Sequence, residues 1–395
     1  MPKPISLVLP PAAWTSSDAA KQLTQALGAE NMRWVGGAVR DTLLELDVND
    51  IDCATTLWPD TVIKRCDEVG IRTVPTGIDH GTVTAVFDDC SIEITTLRQD
   101  VATDGRRATI AFAAEWRDDA ARRDFTINAL YAHPETREIS DYFGGLRDLS
   151  ASRVRFIGSA RERIAEDHLR ILRYYRFQAR FGSALDDEAE EACAQMADTM
   201  KGLSRERVSE ELLRLLCLPN PHETIARMHI NGVLPVILPE TCDVFIKAFG
   251  QLVAREDRQG FTPDPIRRLA CLLPTSSDVA EGVAARLRLS KAQRAKLVSA
   301  VSRLKDDTTN PQALAYQITP DFAVDRLLLL GADARVVSDW TPPTFPLKGG
   351  EIVARGVGKG PEVARILQTV ERRWVAEGFP DEARIEAILD EELAG

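Results

Sequence analysis

No two cysteines in this 395-residue sequence are spaced as CxxC. The seven present (Cys53, Cys66, Cys90, Cys193, Cys217, Cys242, Cys271) are odd in number and scattered. That excludes a disulfide framework and gives no zinc site, and it points to the cytoplasm. No run approaches the ~20 apolar residues of a membrane span, so no membrane is expected as a partner. The opening MPKPISLVLPPAAW holds a short apolar run without the long core or cleavage site of a signal peptide, and no export is expected. Repeats, low-complexity tracts and heptads are missing as well.

What is present belongs to a soluble globular chain, 44% apolar and 28% charged, long enough for two to four packed units. Net charge is −11, which at first argues against a polyanionic partner. The average hides a local reversal. Between Arg153 and Arg180 stand eight arginines (153, 155, 161, 163, 170, 173, 176, 180) against three acids, Glu162, Glu166 and Asp167, with no lysine. A solvated helix face usually mixes Lys with Glu. An all-arginine stripe favours planar, bidentate phosphate donors.

To about residue 150 the patterning mixes strands and helices. MRWV reads as a strand running into a Gly36-Gly37 turn, AVRDTLLEL as a helix, and DIDCATT as a strand. PDTVIKRCDEVG is a helix with Pro59 at its start and Gly70 at its end. TVTAVF and SIEITTL alternate in polarity around Asp88-Asp89, which predicts a hairpin. Residues 99–117 are weakly patterned and predict a mobile loop or short hairpin, and DDAARRDFTINALY predicts a return to helix. From about residue 159 the signal is mostly helical, with proline-marked boundaries at Pro219 and Pro221 and again over 340–347.

Four stretches carry chemistry. In GGAVRD, Gly36 and Gly37 let a ligand approach the backbone before a helix N-terminus, and Arg40 is placed to hold a phosphate. In NDIDCATT, Asp50 and Asp52 alternate to one strand face, where two carboxylates repel unless a cation lies between them. Two Asp on a wet strand are common. Glu93 of IEITTLR, on a neighbouring strand, raises the pair to a triad of hard oxygen donors suited to Mg²⁺ and two-metal nucleotidyl transfer. In RRDFTINA, Arg123 and Asp124 offer phosphate and ribose contacts, the bland alternative being an ion pair of Arg123 with Asp124 or Asp119. In EDHLRILRYYR, helical spacing puts Glu166, Arg170 and Arg173 on one stripe, flanked by Asp167 and Arg176. An accepting Asp beside a donating Arg can mimic the edge of a base, whereas the bland reading is a salt-bridge ladder.

In this order, VGGAVRD, DIDCATT, IEITTLR, TDGRR, RRDFTINAL, DYFGGLRDL, EDHLRILRYYRFQARF and SRERVSEEL closely resemble class II tRNA nucleotidyltransferases and their relatives, the bacterial poly(A) polymerases. The likeness covers residues 33–215 and returns at Gly349–Leu367. It implies an α+β chain, a polymerase-β-like nucleotidyltransferase head (1–150) followed by an all-helical neck (151–218), body (219–340) and tail (341–395). By motif it makes Asp50, Asp52 and Glu93 catalytic, the aspartates holding Mg²⁺. Gly36, Gly37, Arg40, Arg123 and Asp124 would then bind the nucleotide's phosphates and ribose. Asp167 and Arg170 would be a protein template choosing C or A, with Arg173 and Arg176 continuing the series. Asp141, Gly144, Gly145, Asp148 and Arg155 match a hinge-like motif, and Glu206 and Arg207 one supporting the neck. His168 stands where the family often has proline, and no HD dipeptide marks a phosphohydrolase domain.

The implied activity is template-independent addition of CCA to the 3′ end of tRNA from CTP and ATP. Poly(A) polymerase and an A-adding-only enzyme share the head motifs. A small-molecule nucleotidyltransferase would not need the long helical remainder, and a non-catalytic RNA-binding module would not need three repelling carboxylates.

Overall fold

Alternation of polarity fixes the sheet that carries the site. In a computed structural model, residues 7–48, 50–104, 107–112, 115–182 and 184–394 are described, residues 79, 99–104 and 107–112 by their backbone alone. Asn49 of NDIDCATT and Gly105 and Arg106 of TDGRR lie outside them. The chain forms two compact units: the first runs to Leu215 and adds Thr224–Ile237, and the second comprises Leu216–Glu223 and the chain from Leu238.

The first unit begins with α1 (Asp18–Leu27), β1 (Met32–Val35), α2 (Gly37–Leu43), β2 (Ile51–Thr55), α3 (Pro59–Glu68), β3 (Arg72–Gly77), β4 (Thr82–Val86) and β5 (Ser91–Thr96). The hairpin β6 (Arg98–Asp104) and β7 (Arg107–Phe112) forms a separate two-stranded sheet. Then come α4 (Trp116–Ala121), β8 (Leu130–Ala132), β9 (Ile139–Asp141) and α5 (Gly145–Ser150). The main sheet has seven strands in the order β3-β4-β5-β2-β1-β8-β9. β2 and β5 pair in parallel with Asp52 opposite Glu93. In β5, Ile92 and Ile94 are buried while Glu93 between them faces out. The unit continues with α6 (Ala160–Glu166), α7 (Arg170–Phe181), α8 (Asp187–Gln195), α9 (Arg205–Leu216) up to Leu215, α10 (His222–Ile230) from Thr224, and α11 (Val233–Ile237).

The helix expected over DDAARRDFTINALY ends at Ala121. The chain then turns through Arg122–Phe125 and a short 3-10 segment into β8, where Tyr131 pairs with Val35. Three buried residues are too short a strand to show a period. Edge strand β3 was not legible in the sequence either, because Pro75 interrupts it, and its pairing shifts register between Val74 and Gly77.

The second unit is helical: α12 (Asp243–Gln259), α13 (Pro265–Cys271), α14 (Ser277–Arg286), α15 (Lys291–Val301), α16 (Pro311–Ile318), α17 (Pro320–Leu330), α18 (Arg335–Ser338), α19 (Gly349–Ala354), α20 (Pro361–Ala376) and α21 (Glu382–Ala394). Among the described residues no helix is long and apolar enough to cross a membrane. A charged cluster lies buried inside it. Glu256 accepts from Arg267 (2.6 Å) and Arg268 (2.7 Å), and Arg267 also reaches Asp325 (3.0 Å). Such burial is tolerable only because each charge is paired.

Candidate active site

The strand-to-helix turn comes first. Gly36 adopts φ +67°, and a Cβ there would stand 3.3 Å from the Arg123 guanidinium and 3.7 Å from the Asp52 carboxylate. Glycine thus brings a backbone, a cation and a carboxylate together. Beside them lies a cavity of about 530 Å³, lined by Gly36, Gly37, Arg40, Asp50, Asp52, Arg123, Asp124, Asp167, Arg170 and Arg173. Volumes of this size hold nucleotide-sized ligands. Asp41, Asp47, Arg122, Asn128, Phe177, Arg180 and Arg214 complete the lining.

Asp50 stands just before β2 and Asp52 within it. Burial, then the adjoining Glu93, push the Asp52 carboxyl above its usual range; Arg123 opposes this and Asp50 adds to it. Glu93 does not line the main cavity. It lines a smaller one of about 180 Å³, shared with Asp52, Arg98, Arg122 and Arg123. Among the described residues no three carboxylate, histidine or cysteine side chains are already grouped as metal ligands. The donors present are hard oxygens with negative charge in excess. They suit Mg²⁺, which is bound through one or two carboxylates and completed by substrate phosphates and water.

The arginines are held from behind. Arg123 donates to the Tyr131 hydroxyl (2.9 Å) and to Asp119 (3.3 Å), so its ion pair is with Asp119 and not with Asp124. Asp119 is buried and also receives Arg122 (2.8 Å) and the Tyr131 hydroxyl (2.6 Å). Burial would raise the Asp119 carboxyl, but Arg123 and Arg122 hold it low. Arg40 is buried against Phe177 and Phe181, donating to Asp41 (2.8 Å) and Asn128 (2.5 Å), which leaves part of its fork for a ligand. Asp124 accepts from Arg173 (2.8 and 2.5 Å), Asn128 (2.9 Å) and the Phe125 amide (2.8 Å). Burial works against its charge, but Arg173, Asn128 and the Phe125 amide together hold the carboxyl below its usual range.

The single helix expected over EDHLRILRYYR is two. α6 stops at Glu166, Asp167 is extended (φ −151°, ψ 103°), and its carboxylate accepts the Leu169 amide (3.1 Å) ahead of α7. This local side-chain bond competes with helix continuation, as short acidic side chains do. Glu166 therefore pairs with Arg163 and Arg170 as a ladder, while Asp167 pairs with Arg207 of α9 (2.6 Å). Asp167, Arg170 and Arg173 still meet at the cavity. Arg176 does not line it: its guanidinium stacks on Phe177 and donates to Glu211 (2.6 Å). Asp141 ties down the amides of Phe143 to Leu146, and Asp148 receives Thr126 (2.6 Å) and Arg155 (2.9 Å), so that segment is stitched by its own residues.

With this geometry in hand, similarity to known proteins decides the family. Residues 32–155 match the Poly A polymerase head domain, and 183–245 match a probable RNA and SrmB-binding site of polymerase A. The mitochondrial CCA tRNA nucleotidyltransferase 1 of Mus musculus is 34% identical over 389 residues, 92% of this chain and 87% of that protein. The chain belongs to the CCA tRNA nucleotidyltransferase family. It is thus an enzyme of the nucleotidyltransferase class. The CCA-adding enzyme of Streptococcus uberis is 41% identical over 47% of the chain and 46% of its own length. The crystal structure of the Bacillus stearothermophilus CCA-adding enzyme in complex with CTP shares the fold. Its TM-score is 0.76 at 22% identity, covering 95% of this chain and 97% of that one.

Arg180, the last residue of the arginine stripe, and Arg214, outside every motif singled out in the sequence, also line the cavity although neither was assigned to the site. Arg180 follows Arg173 by seven residues, two helical turns on, which was a usable signal. Arg214 lies 34 residues further along and gave none.

Proposed function

We propose that this chain adds CCA to the 3′ end of tRNA, drawing on CTP and ATP. The observation that carries this is the 34% identity to the mouse enzyme across nearly the whole chain, which spans the cavity-lining segments. In this reading residues 1–150 act as head, 151–218 as neck, 219–340 as body and 341–395 as tail. Asp50 and Asp52, with Glu93 alongside, would hold Mg²⁺, which when bound would supply charge neutralisation at the triphosphate and a lowered pKa for the attacking tRNA hydroxyl.

The remaining roles belong to side chains. Arg123, oriented by Asp119 and Tyr131, faces the phosphates across Gly36, and Arg40 offers its free N–H groups beside Gly37. Asp124, with Arg173, sets the ribose end of the cavity. Asp167 accepts from and Arg170 donates to the incoming base, and Arg176 supports that row through Glu211. Seven free cysteines suit a reducing compartment, the cytoplasm in this reading.

The test is incubation with tRNA lacking one, two or three 3′ nucleotides, with CTP and ATP given singly and together. Growth by the missing residues and then arrest is the expected result. Long A tracts would reassign the chain to polyadenylation, and extension only of tRNA ending in CC would make it an A-adding enzyme.

A further inference from the structure

One face of α7 lines the cavity of the first unit. Arg170, Arg173, Phe177 and Arg180 recur at intervals of three and four residues, and all four line it. From Arg170 to Arg180 the helix runs ~15 Å. Arg173 holds Asp124 within that row (2.8 and 2.5 Å), and Arg180 closes it beside α2, where it meets Asp41 (3.2 Å). Arg176 falls off this face and is taken by Glu211 (2.6 Å). The guanidinium one helical turn further on is therefore the one that reaches the cavity.

Among the described residues Arg180 carries the lightest load of the cavity's arginines. Arg40 contacts Asp41 at 2.8 Å through two nitrogens and Asn128 through the third (2.5 Å). Arg170 meets Glu166 and two backbone carbonyls, and Arg214 holds Glu210 at 2.6 Å. Arg180 has one contact, from a single nitrogen to the carboxylate that Arg40 already occupies. At 3.2 Å it is longer than the ~2.7–2.9 Å of a strong charged hydrogen bond. Asp41 thus balances one of two positive charges. Both guanidiniums lie over the Phe181 ring, Arg40 at 4.5 Å and Arg180 at 4.7 Å from its centre, which keeps the two cations together. Burial lowers the Arg40 guanidinium, Asp41 opposes this, and the like charge of Arg180 lowers it further. The end of the row nearest the Gly36-Gly37 turn therefore holds a surplus positive charge with unspent N–H groups.

We infer that Arg180 binds the β- and γ-phosphates of the incoming nucleotide, and the pyrophosphate they become, by exchanging its contact with Asp41 for phosphate oxygens. A guanidinium fork matches two phosphate oxygens at once, and a single long contact to a shared carboxylate costs little to give up. The inference deepens the function proposed above and rests on it for the nucleoside triphosphate. In that reading one helix face spans the whole ligand, with Arg170 at the base, Arg173 at the ribose end and Arg180 at the terminal phosphates.

Affinities for CTP, CMP and inorganic pyrophosphate are measured with Mg²⁺ and without tRNA, so that no transfer occurs. The proteins compared are the parent, Arg180→Ala, Asp41→Asn and the double variant Asp41→Asn/Arg180→Ala. Arg180→Ala is expected to weaken CTP and pyrophosphate ~10- to 100-fold, as loss of a charged hydrogen bond does, and to leave CMP within about twofold. Retained CMP affinity also reports that the cavity is intact. In the Asp41→Asn background the same loss should persist, because the contact is made to phosphate itself. A loss that vanishes in that background means that Arg180 acts only through Asp41 and Arg40, and overturns the inference. Equal weakening of CMP and CTP, or an unchanged pyrophosphate affinity, overturns it too. Failure of the parent to extend tRNA overturns the functional reading alone, since these affinities need no acceptor.

Discussion

Arg207 reaches back from α9 to place a guanidinium nitrogen 2.6 Å from the carboxylate of Asp167, forty residues earlier. Asp167 sits in the break between α6 and α7, so no helix ladder holds it; Arg207 and the Leu169 amide do. Arg207→Ala is expected to loosen the acceptor without unfolding anything, since a partly exposed pair contributes only ~0–1 kcal/mol. The measurement is incorporation of UTP and GTP against CTP and ATP. Selectivity should fall while kcat for CTP changes little. Unaltered selectivity returns Arg207 to a surface role.

Asp52 is half-buried on β2, with Glu93 opposite it in the parallel register. Burial and Glu93 oppose its charge, so Asp52→Asn removes an unfavourable carboxylate. The variant is expected to melt at a higher temperature than the parent and to lose nucleotide incorporation by on the order of 10³-fold. Adding Mg²⁺ with CTP should raise the melting temperature of the parent and leave the variant's unchanged. A variant that keeps its activity would dismiss the metal assignment.

Glu211 is the buried counter-ion of two arginines, taking Arg173 (3.3 Å) and Arg176 (2.6 Å). Arg173 has Asp124 as a second partner, whereas among the described residues Arg176 pairs with Glu211 alone. Glu211→Gln is expected to cost ~3–5 kcal/mol of unfolding free energy by stranding a buried guanidinium. Denaturant titration reads this directly. A loss under ~1 kcal/mol would mean that Arg176 swings to solvent.

Gly145 has no room for a side chain: a Cβ there would stand 2.2 Å from the Thr126 carbonyl oxygen. Gly145→Ala is expected to cost at least ~1–3 kcal/mol, because backbone must move. Gly202, whose added Cβ meets nothing within 4 Å, is the matched control and should be neutral or slightly stabilised by alanine. Equal effects at both glycines would count against steric necessity at Gly145.

Legibility followed period and length. β2 and β5 could be read because Ile92 and Ile94 alternate with Glu93 over six residues, and the parallel register then put Asp52 beside Glu93. β8 could not, since Leu130–Ala132 is buried throughout, and β3 was masked by Pro75. The residues that hold the site were the least visible. Asp119 was legible as a local partner of Arg123, but its bond to Tyr131 depends on β8 folding back onto β1. Helical spacing also misplaced Asp167, because a single side chain-to-amide bond broke the helix that the spacing assumed.

The buried charges of the second unit give a pH dependence with a definite sign. Burial pushes the Asp325 carboxyl from 3.8 to about 6, against the pull of Lys296 and Arg267 and with a push from Asp264. Lys296 stands closer to Asp264 (2.5 Å) than to Asp325 (3.4 Å), so its charge is largely spent there. As pH rises from 4 to 6, the unfolded chain releases this proton before the folded one does. The folded state then binds more protons, and stability falls with rising pH. A gap of about two units corresponds to at most ~3 kcal/mol. Asp325→Asn mimics the protonated carboxyl and removes the effect, leaving opposing carboxylates such as Asp264 in place. Unfolding free energies of parent and variant are therefore expected to lie close together near pH 4, with the variant gaining on the parent up to pH 7. A constant difference across that range would place the Asp325 carboxyl back among ordinary, ionised acids.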